Sequence, residues 1–244
     1  MSCESYLSEY TLYNLYKNKE ITYNTATFRI KIVINDKTKP FVFLFQGFSS
    51  SIVKNTSLDN IDNQKLNSIP NYMEKTFSNI KKYNYVFIVD IYQFWGCIQF
   101  TELHKSLQSI INVFKPAKYY CVGQSSGGYM SILFGNLLKA TKIIAFTPQT
   151  ILFGHKFMND FRHELLERYK KHNFKYKNLS ILQPFVSKVV IILCSCPYDK
   201  NEVNQLNKND KNVKVICISE QHTHDINLVL TKSQYLNFIL NEIN

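Results

Sequence analysis

Glycine is scarce in this chain: 7 residues of 244, less than half of its usual share of about 7%. Long apolar runs are missing too. No stretch reaches 18 uncharged apolar residues, so a membrane span is not expected. The opening MSCESYLSEYTLYNLYKNKE lacks the apolar core after a basic start that marks a secretory signal. The six cysteines (Cys3, Cys97, Cys121, Cys194, Cys196 and Cys217) form no CxxC pair, and no histidines stand at zinc spacing. No metal and no cofactor is therefore expected. Neither GxGxxG nor GxxxxGK followed by Ser or Thr occurs, which argues against a phosphate-binding loop. There is no internal repeat.

Acidic residues are also short, 18 against 29 Lys and Arg, for a net charge of +11. Such an excess suggests nucleic acid. The lysines, however, are scattered along the whole length among many Asn, Ile and Tyr, as the codon bias of an AT-rich source would write them. A weak general affinity for polyanions is expected, and no specific nucleic-acid surface. Four of the cysteines lie in runs that read as buried strands, where a free thiol behaves as a small hydrophobe. A reducing, cytoplasmic setting fits that pattern.

What is present describes a globular protein: 45% hydrophobic and 19% charged residues. The length suits one domain, 1–244, with one sizeable core. Residues 1 to about 20 read as a short leading helix. TFRIKIVIN (27–35) alternates and predicts a half-exposed, antiparallel strand. PFVFLFQGF (40–48), YVFIVDI (85–91), KVVIILCSC (188–196) and VKVICIS (213–219) read as further strands, the first ending in a glycine turn. One helix is expected near 70–82, another over 101–114 stopped by Pro116, and a closing amphipathic helix over INLVLTKSQYLNFILNEI. Residues 150–185 read as a helical insertion, with a chain bend at Pro184. The alternation predicts an α/β protein with a mostly parallel sheet covered by helices.

The informative segment is Gly123-Gln124-Ser125-Ser126-Gly127-Gly128, lying between an expected strand (Tyr119 to Val122) and an expected helix (Tyr129 to Leu138). That context gives a GxSxG match its meaning. A serine on so sharp a turn is forced to positive φ, and its neighbours two residues away must be small because strand and helix pass close together. Three of the seven glycines fall in this hexapeptide. On these residues the chain resembles the α/β-hydrolase superfamily, over roughly residues 27–242. The resemblance implies an α/β-hydrolase fold and the chain order nucleophile, acid, histidine, after the fifth, seventh and last strands.

Serine needs an imidazole within reach to become nucleophilic, and the imidazole needs a carboxylate on its other nitrogen. Asp199 follows the strand 188–196 at its carboxyl end, where open α/β sheets build their sites, and resembles the family's acid. Glu202 is the alternate, more readily read as a first-turn helix residue. The base is His224 or His222, both after the last strand. His224 is preferred because it abuts the expected helix and its His-Asp-Ile-Asn context resembles the family's; Asp225 reads as a helix cap. Two backbone amides should hold the oxyanion, those of Ser126 and of Phe48 in Gln46-Gly47-Phe48. Many family members have His-Gly where this chain has Gln46-Gly47. Tyr92, Trp95 and Phe146 to Thr150 are expected either to wall the substrate pocket or to pack in the core. Asp90 reads as a cap or a polar support.

The resemblance implies a metal-free serine hydrolase cleaving a carboxylic ester, thioester or amide through an acyl-enzyme. Its substrate would be a small-molecule or lipid-like ester. An acyltransferase would use the same three residues, and a non-catalytic binding protein of the same fold would need none of them.

Overall fold

A computed structural model of the chain describes residues 6–15, 17–25, 27–47, 70–91, 94–98, 100–152, 174–207 and 210–244. The framework is an eight-stranded sheet of strands β1 (Glu20–Asn24), β2 (Phe28–Val33), β3 (Phe41–Phe45), β4 (Asn84–Asp90), β5 (Tyr119–Gln124), β6 (Lys142–Phe146), β7 (Lys188–Cys194) and β8 (Val213–Ser219). Their spatial order is β1-β2-β4-β3-β5-β6-β7-β8. β2 runs antiparallel to both β1 and β4. From β4 through β3 to β8 every pairing is parallel.

Parallel strands must be covered on both faces, which is why β3 and β4 are buried at every residue. Phe41, Phe43 and Phe45 point to one face, Val42 and Leu44 to the other. The first face is covered by α3 (Phe100–Phe114) and α4 (Ser126–Leu137) through Leu103, Leu107, Met130 and Leu133. A short leading helix, α1 (Glu9–Leu15), adds Leu12 to this layer, and the Leu7 amide donates to Ser106 Oγ at 2.8 Å. The second face is covered by α2 (Glu74–Phe77) and α6 (Lys232–Ile243) through Phe77, Tyr235, Ile239 and Ile243. Each side chain of this size that is fully buried contributes roughly 1.5–3 kcal/mol. α5 (Pro197–Asn207) packs Val203 and Leu206 into the first face.

Several expectations need correction. β1 was not read from the sequence; EITYN is short and mostly polar, and only its hydrogen-bond ladder to β2 makes it a strand. The helix expected near 70–82 is a single turn, opened by Met73 in a left-handed conformation (φ 59°). The closing helix does not start at Ile226. Residues Ile226–Leu228 form a 3-10 turn, and the α-helix begins after Thr231, whose side chain accepts from the Gln234 amide while Gln234 Oε1 accepts from the Thr231 amide. Cys217 is exposed on the outer strand; the other described cysteines are buried, and all five are free thiols. Most of the expected 150–185 insertion lies outside the described residues. Its far end carries a 3-10 turn, Leu179–Leu182, followed by the cis bond Gln183–Pro184 at the expected bend. Among the described residues, no helix is long and apolar enough to cross a membrane.

Two crossings position the residues of interest. α4 leaves β5 so abruptly that a methyl group on Gly123 would overlap the Gly127 carbonyl, and one on Gly127 would overlap the Phe45 carbonyl at the end of β3. Gly47 is pressed the same way, since a methyl there would stand 2.6 Å from the Gln124 carbonyl oxygen. Backbone faces backbone at each contact, so no side chain can swing aside. Gly123→Ala is therefore expected to lower stability by about 3 kcal/mol or more, measured by urea unfolding. A loss below about 1 kcal/mol would mean that strand and helix can part without penalty.

Candidate active site

Ser125 sits between β5 and α4 with φ 54° and ψ −118°, a conformation that L-residues hold only when their surroundings impose it. Its amide donates to the Phe146 carbonyl at 2.9 Å, and its own carbonyl accepts from the Tyr129 amide at 3.0 Å, opening the helix. The turn is thus tied at both ends, and the half-buried side chain projects from it at the carboxyl edge of the sheet.

His224 comes from the loop after β8. Its Nε2 lies 2.9 Å from Ser125 Oγ, and its Nδ1 lies 2.8 Å from Asp199 Oδ1. A carboxylate can only accept, so Nδ1 donates to Asp199, leaving Nε2 to accept the Ser125 hydroxyl proton. Asp199 has no exposed side-chain surface, whereas the His224 side chain is 30% exposed. Burial by itself would lower the proton affinity of His224. The hydrogen bond to Asp199, with the negative charges of Asp199, Glu202 and Asp225, outweighs it, and the imidazole titrates above its usual value of about 6.5. Asp199 Oδ2 is buried without a hydrogen-bond partner among the described residues, so the only bond to this carboxylate seen there is the one from His224.

The acid lies in the first turn of α5 and not in a loop, because Pro197 opens the helix directly after β7. Glu202, the alternate acid, is one turn further on. Its Oε2 accepts from the amides of Thr150 at 2.7 Å and Ile151 at 3.4 Å. The alternate base, His222, donates from Nδ1 to the Ser195 carbonyl at 2.9 Å and so fastens the base loop to the segment between β7 and the acid helix. Asp225 caps the 3-10 turn, its side chain accepting from the Asn227 amide at 3.0 Å.

Ser126 is the first residue of α4, and first-turn amides have no acceptor inside their own helix. Gly47 brings the end of β3 against the elbow at the Gln124 carbonyl. Phe48, expected to supply the second amide, lies outside the described residues. Gln46 donates its amide to the Ile88 carbonyl, and its Oε1 is buried without a hydrogen-bond partner among the described residues. Trp95 is core and not pocket wall: it is 2% exposed, and its indole N–H donates to Gln149 Oε1 at 2.6 Å. Tyr92 lies outside the described residues. Asp90 holds the turn carrying Trp95, its Oδ2 accepting from the amides of Phe94 and Gly96 at 2.6 and 2.8 Å. The contacts of Gln149 and Thr150 had no signal in the sequence, since they depend on α5 meeting the loop after β6. Among the described residues, no three His, Cys, Asp or Glu side chains gather as a metal site.

No protein-family model matches this sequence, and no curated protein matches it either. Solved structures do. The capsule O-acetyltransferase of Neisseria meningitidis serogroup A superposes with a TM-score of 0.62 at 17% identity, over 90% of this chain and 94% of that one. The same enzyme has been solved as a histidine-to-alanine mutant in complex with CoA. Est1E from Butyrivibrio proteoclasticus superposes with a TM-score of 0.55 at 14% identity, over 93% and 99% of the two chains. An esterase of Pyrococcus furiosus gives 0.56 at 13%, over 95% and 94%. The strand order, the single antiparallel reversal at β2 and these superpositions agree: the chain has the α/β-hydrolase fold.

Proposed function

We propose that the chain is a serine hydrolase that cleaves a small carboxylic ester through an acyl-enzyme. The observation carrying this reading is the continuous hydrogen-bonded run from Ser125 Oγ through His224 to Asp199, with the serine held at positive φ. In this mechanism Ser125 Oγ attacks the ester carbonyl carbon as its proton passes to His224 Nε2. The carbonyl electron pair moves onto oxygen, held by the Ser126 amide and by a second amide assigned to Phe48. Loss of one such donor typically costs about 2.7–4 kcal/mol of the barrier. The tetrahedral species collapses, the C–O bond to the leaving alcohol breaks, and that alcohol takes the proton from His224. Water then repeats the sequence against the acyl-serine, with His224 as base and then as acid.

A second reading is acyl transfer to a hydroxyl acceptor. The likeness to a capsule O-acetyltransferase favours it, and the chemistry differs only in which nucleophile takes the acyl group.

A fluorophosphonate probe tests the shared step. Wild-type protein is expected to be labelled on Ser125, with labelling and ester cleavage lost in Ser125→Ala. Unlabelled but folded wild-type protein would instead point to a binding protein of this fold. An added alcohol that competes with water for the acyl group would favour the transferase reading.

The protonation of His224 sets the pH dependence. A base must be neutral to act, so kcat/KM is expected to rise with pH along a limb whose midpoint lies above about 6.5. In Asp199→Asn the carboxylate's contribution disappears while burial stays. The limb should then move to lower pH and kcat should fall by about 10⁴. A limb that stays in place in this variant would remove Asp199 from the proposed role.

A further inference from the structure

Loop 146–151, between β6 and the insertion, is fastened on two sides. On one side the Phe146 carbonyl accepts the Ser125 amide at 2.9 Å, and the Gln149 amide reaches the Ser125 carbonyl at 3.4 Å. On the other side Glu202 of α5 takes the amides of Thr150 and Ile151 on its carboxylate, and its backbone carbonyl accepts from Thr150 Oγ1 at 3.1 Å. Between these anchorages Gln149 Oε1 holds the Trp95 indole at 2.6 Å. The elbow and the helix carrying Asp199 are therefore joined through four positions of this loop, 146, 149, 150 and 151, and Glu202 makes the connection on the helix side.

Nothing about packing alone calls for glutamate here. Glu202 is 9% exposed and Thr150 is fully buried. A buried carboxylate is costly unless hydrogen-bonded, and a buried amide without an acceptor is costly too. Each therefore satisfies the other, and an apolar residue at 202 would leave the Thr150 amide without the acceptor it has here. We infer that Glu202 is a positioning residue of the site: through Thr150 and Ile151 it sets the spacing between the Ser125 turn and the helix that bears Asp199. The inference rests on the hydrolase reading above and adds to it a carboxylate that takes no proton in the reaction.

Glu202 acts on His224 in a second way, by charge. Among the described residues, the charged groups that bear on the imidazole are Asp199 and Glu202 from α5 and Asp225 from its own loop, and the elbow faces it with the uncharged Ser125. Spacing and charge can be separated by substitution. Glu202→Gln keeps an acceptor oxygen for the two amides and removes the charge. Glu202→Ala removes both.

The test is kcat/KM against pH on a chromogenic acetyl ester, for wild type, Glu202→Gln and Glu202→Ala, each checked for folding by circular dichroism. The alanine variant is expected to lose about tenfold or more of the high-pH plateau, since a shift of about 1 Å in the reacting groups costs on the order of a hundredfold. The glutamine variant should recover most of that loss, and its acid limb should move to lower pH. Should Glu202→Ala fail to fold, the plateau of Glu202→Asp, which keeps the charge and shortens the reach to the two amides, decides instead, and a wild-type plateau there overturns the inference. A folded alanine variant with the wild-type plateau, or a glutamine variant that recovers none of the alanine variant's loss, overturns the inference while leaving the hydrolase reading intact. Wild-type protein with no activity dependent on Ser125 would overturn both.

Discussion

The structure depends on a close approach of backbone to backbone. β5 turns into α4 within one residue, and Gly123, Gly127 and Gly47 are the positions at which the three converging chain segments would otherwise collide. Ser125 occupies the one place left between them and accepts an unfavourable φ of 54° to do so. A chain with only seven glycines has put three of them within six residues to make this crossing possible. The consequence for chemistry is that the hydroxyl has little freedom. Its backbone is held from both sides, by Phe146 and by Tyr129, so the hydroxyl is presented to His224 from a fixed turn.

The rest of the site follows from parallel topology. Strands that all run one way bring the ends of β3, β5, β7 and β8 to one edge, and each end delivers one part: Gln46-Gly47, Ser125, Asp199 and His224. Asp199 sits fully buried at the start of α5, with His224 as the only hydrogen-bond donor it meets among the described residues. The surplus of negative charge around the imidazole, from Asp199, Glu202 and Asp225, keeps its proton affinity up despite burial. In the proposed reaction, a base of raised proton affinity would accept the serine proton more readily, at the price of activity in mild acid.

Much of this was legible before any coordinates, and the reasons are physical. Glycine spacing and the strand–turn–helix context pointed to Ser125 because steric crowding writes directly into sequence. Asp199 and His224 were legible through chain order and their places after strands, and the structure brings both to Ser125 through hydrogen bonds. Local pattern failed where tertiary contact decides. EITYN became a strand because β2 offers it a ladder, and the run from Ile226 was split because Thr231 and Gln234 cap a helix more effectively than apolar spacing extends it. Glu202 was weighed as a rival acid, since a carboxylate's identity says nothing about which amides it will meet. Trp95 could not be told apart from a pocket wall until its bond to Gln149 was visible.

The proposed chemistry depends most directly on the imidazole of His224. Nitrogen-resolved NMR of histidine-labelled protein, with the signal assigned by its loss in His224→Gln, reads both where the proton sits and how it titrates. Neutral His224 is expected to carry its proton on Nδ1, toward Asp199, with a midpoint above that of an unperturbed histidine. A proton on Nε2, or a midpoint at or below the unperturbed value, would contradict the proposed chemistry.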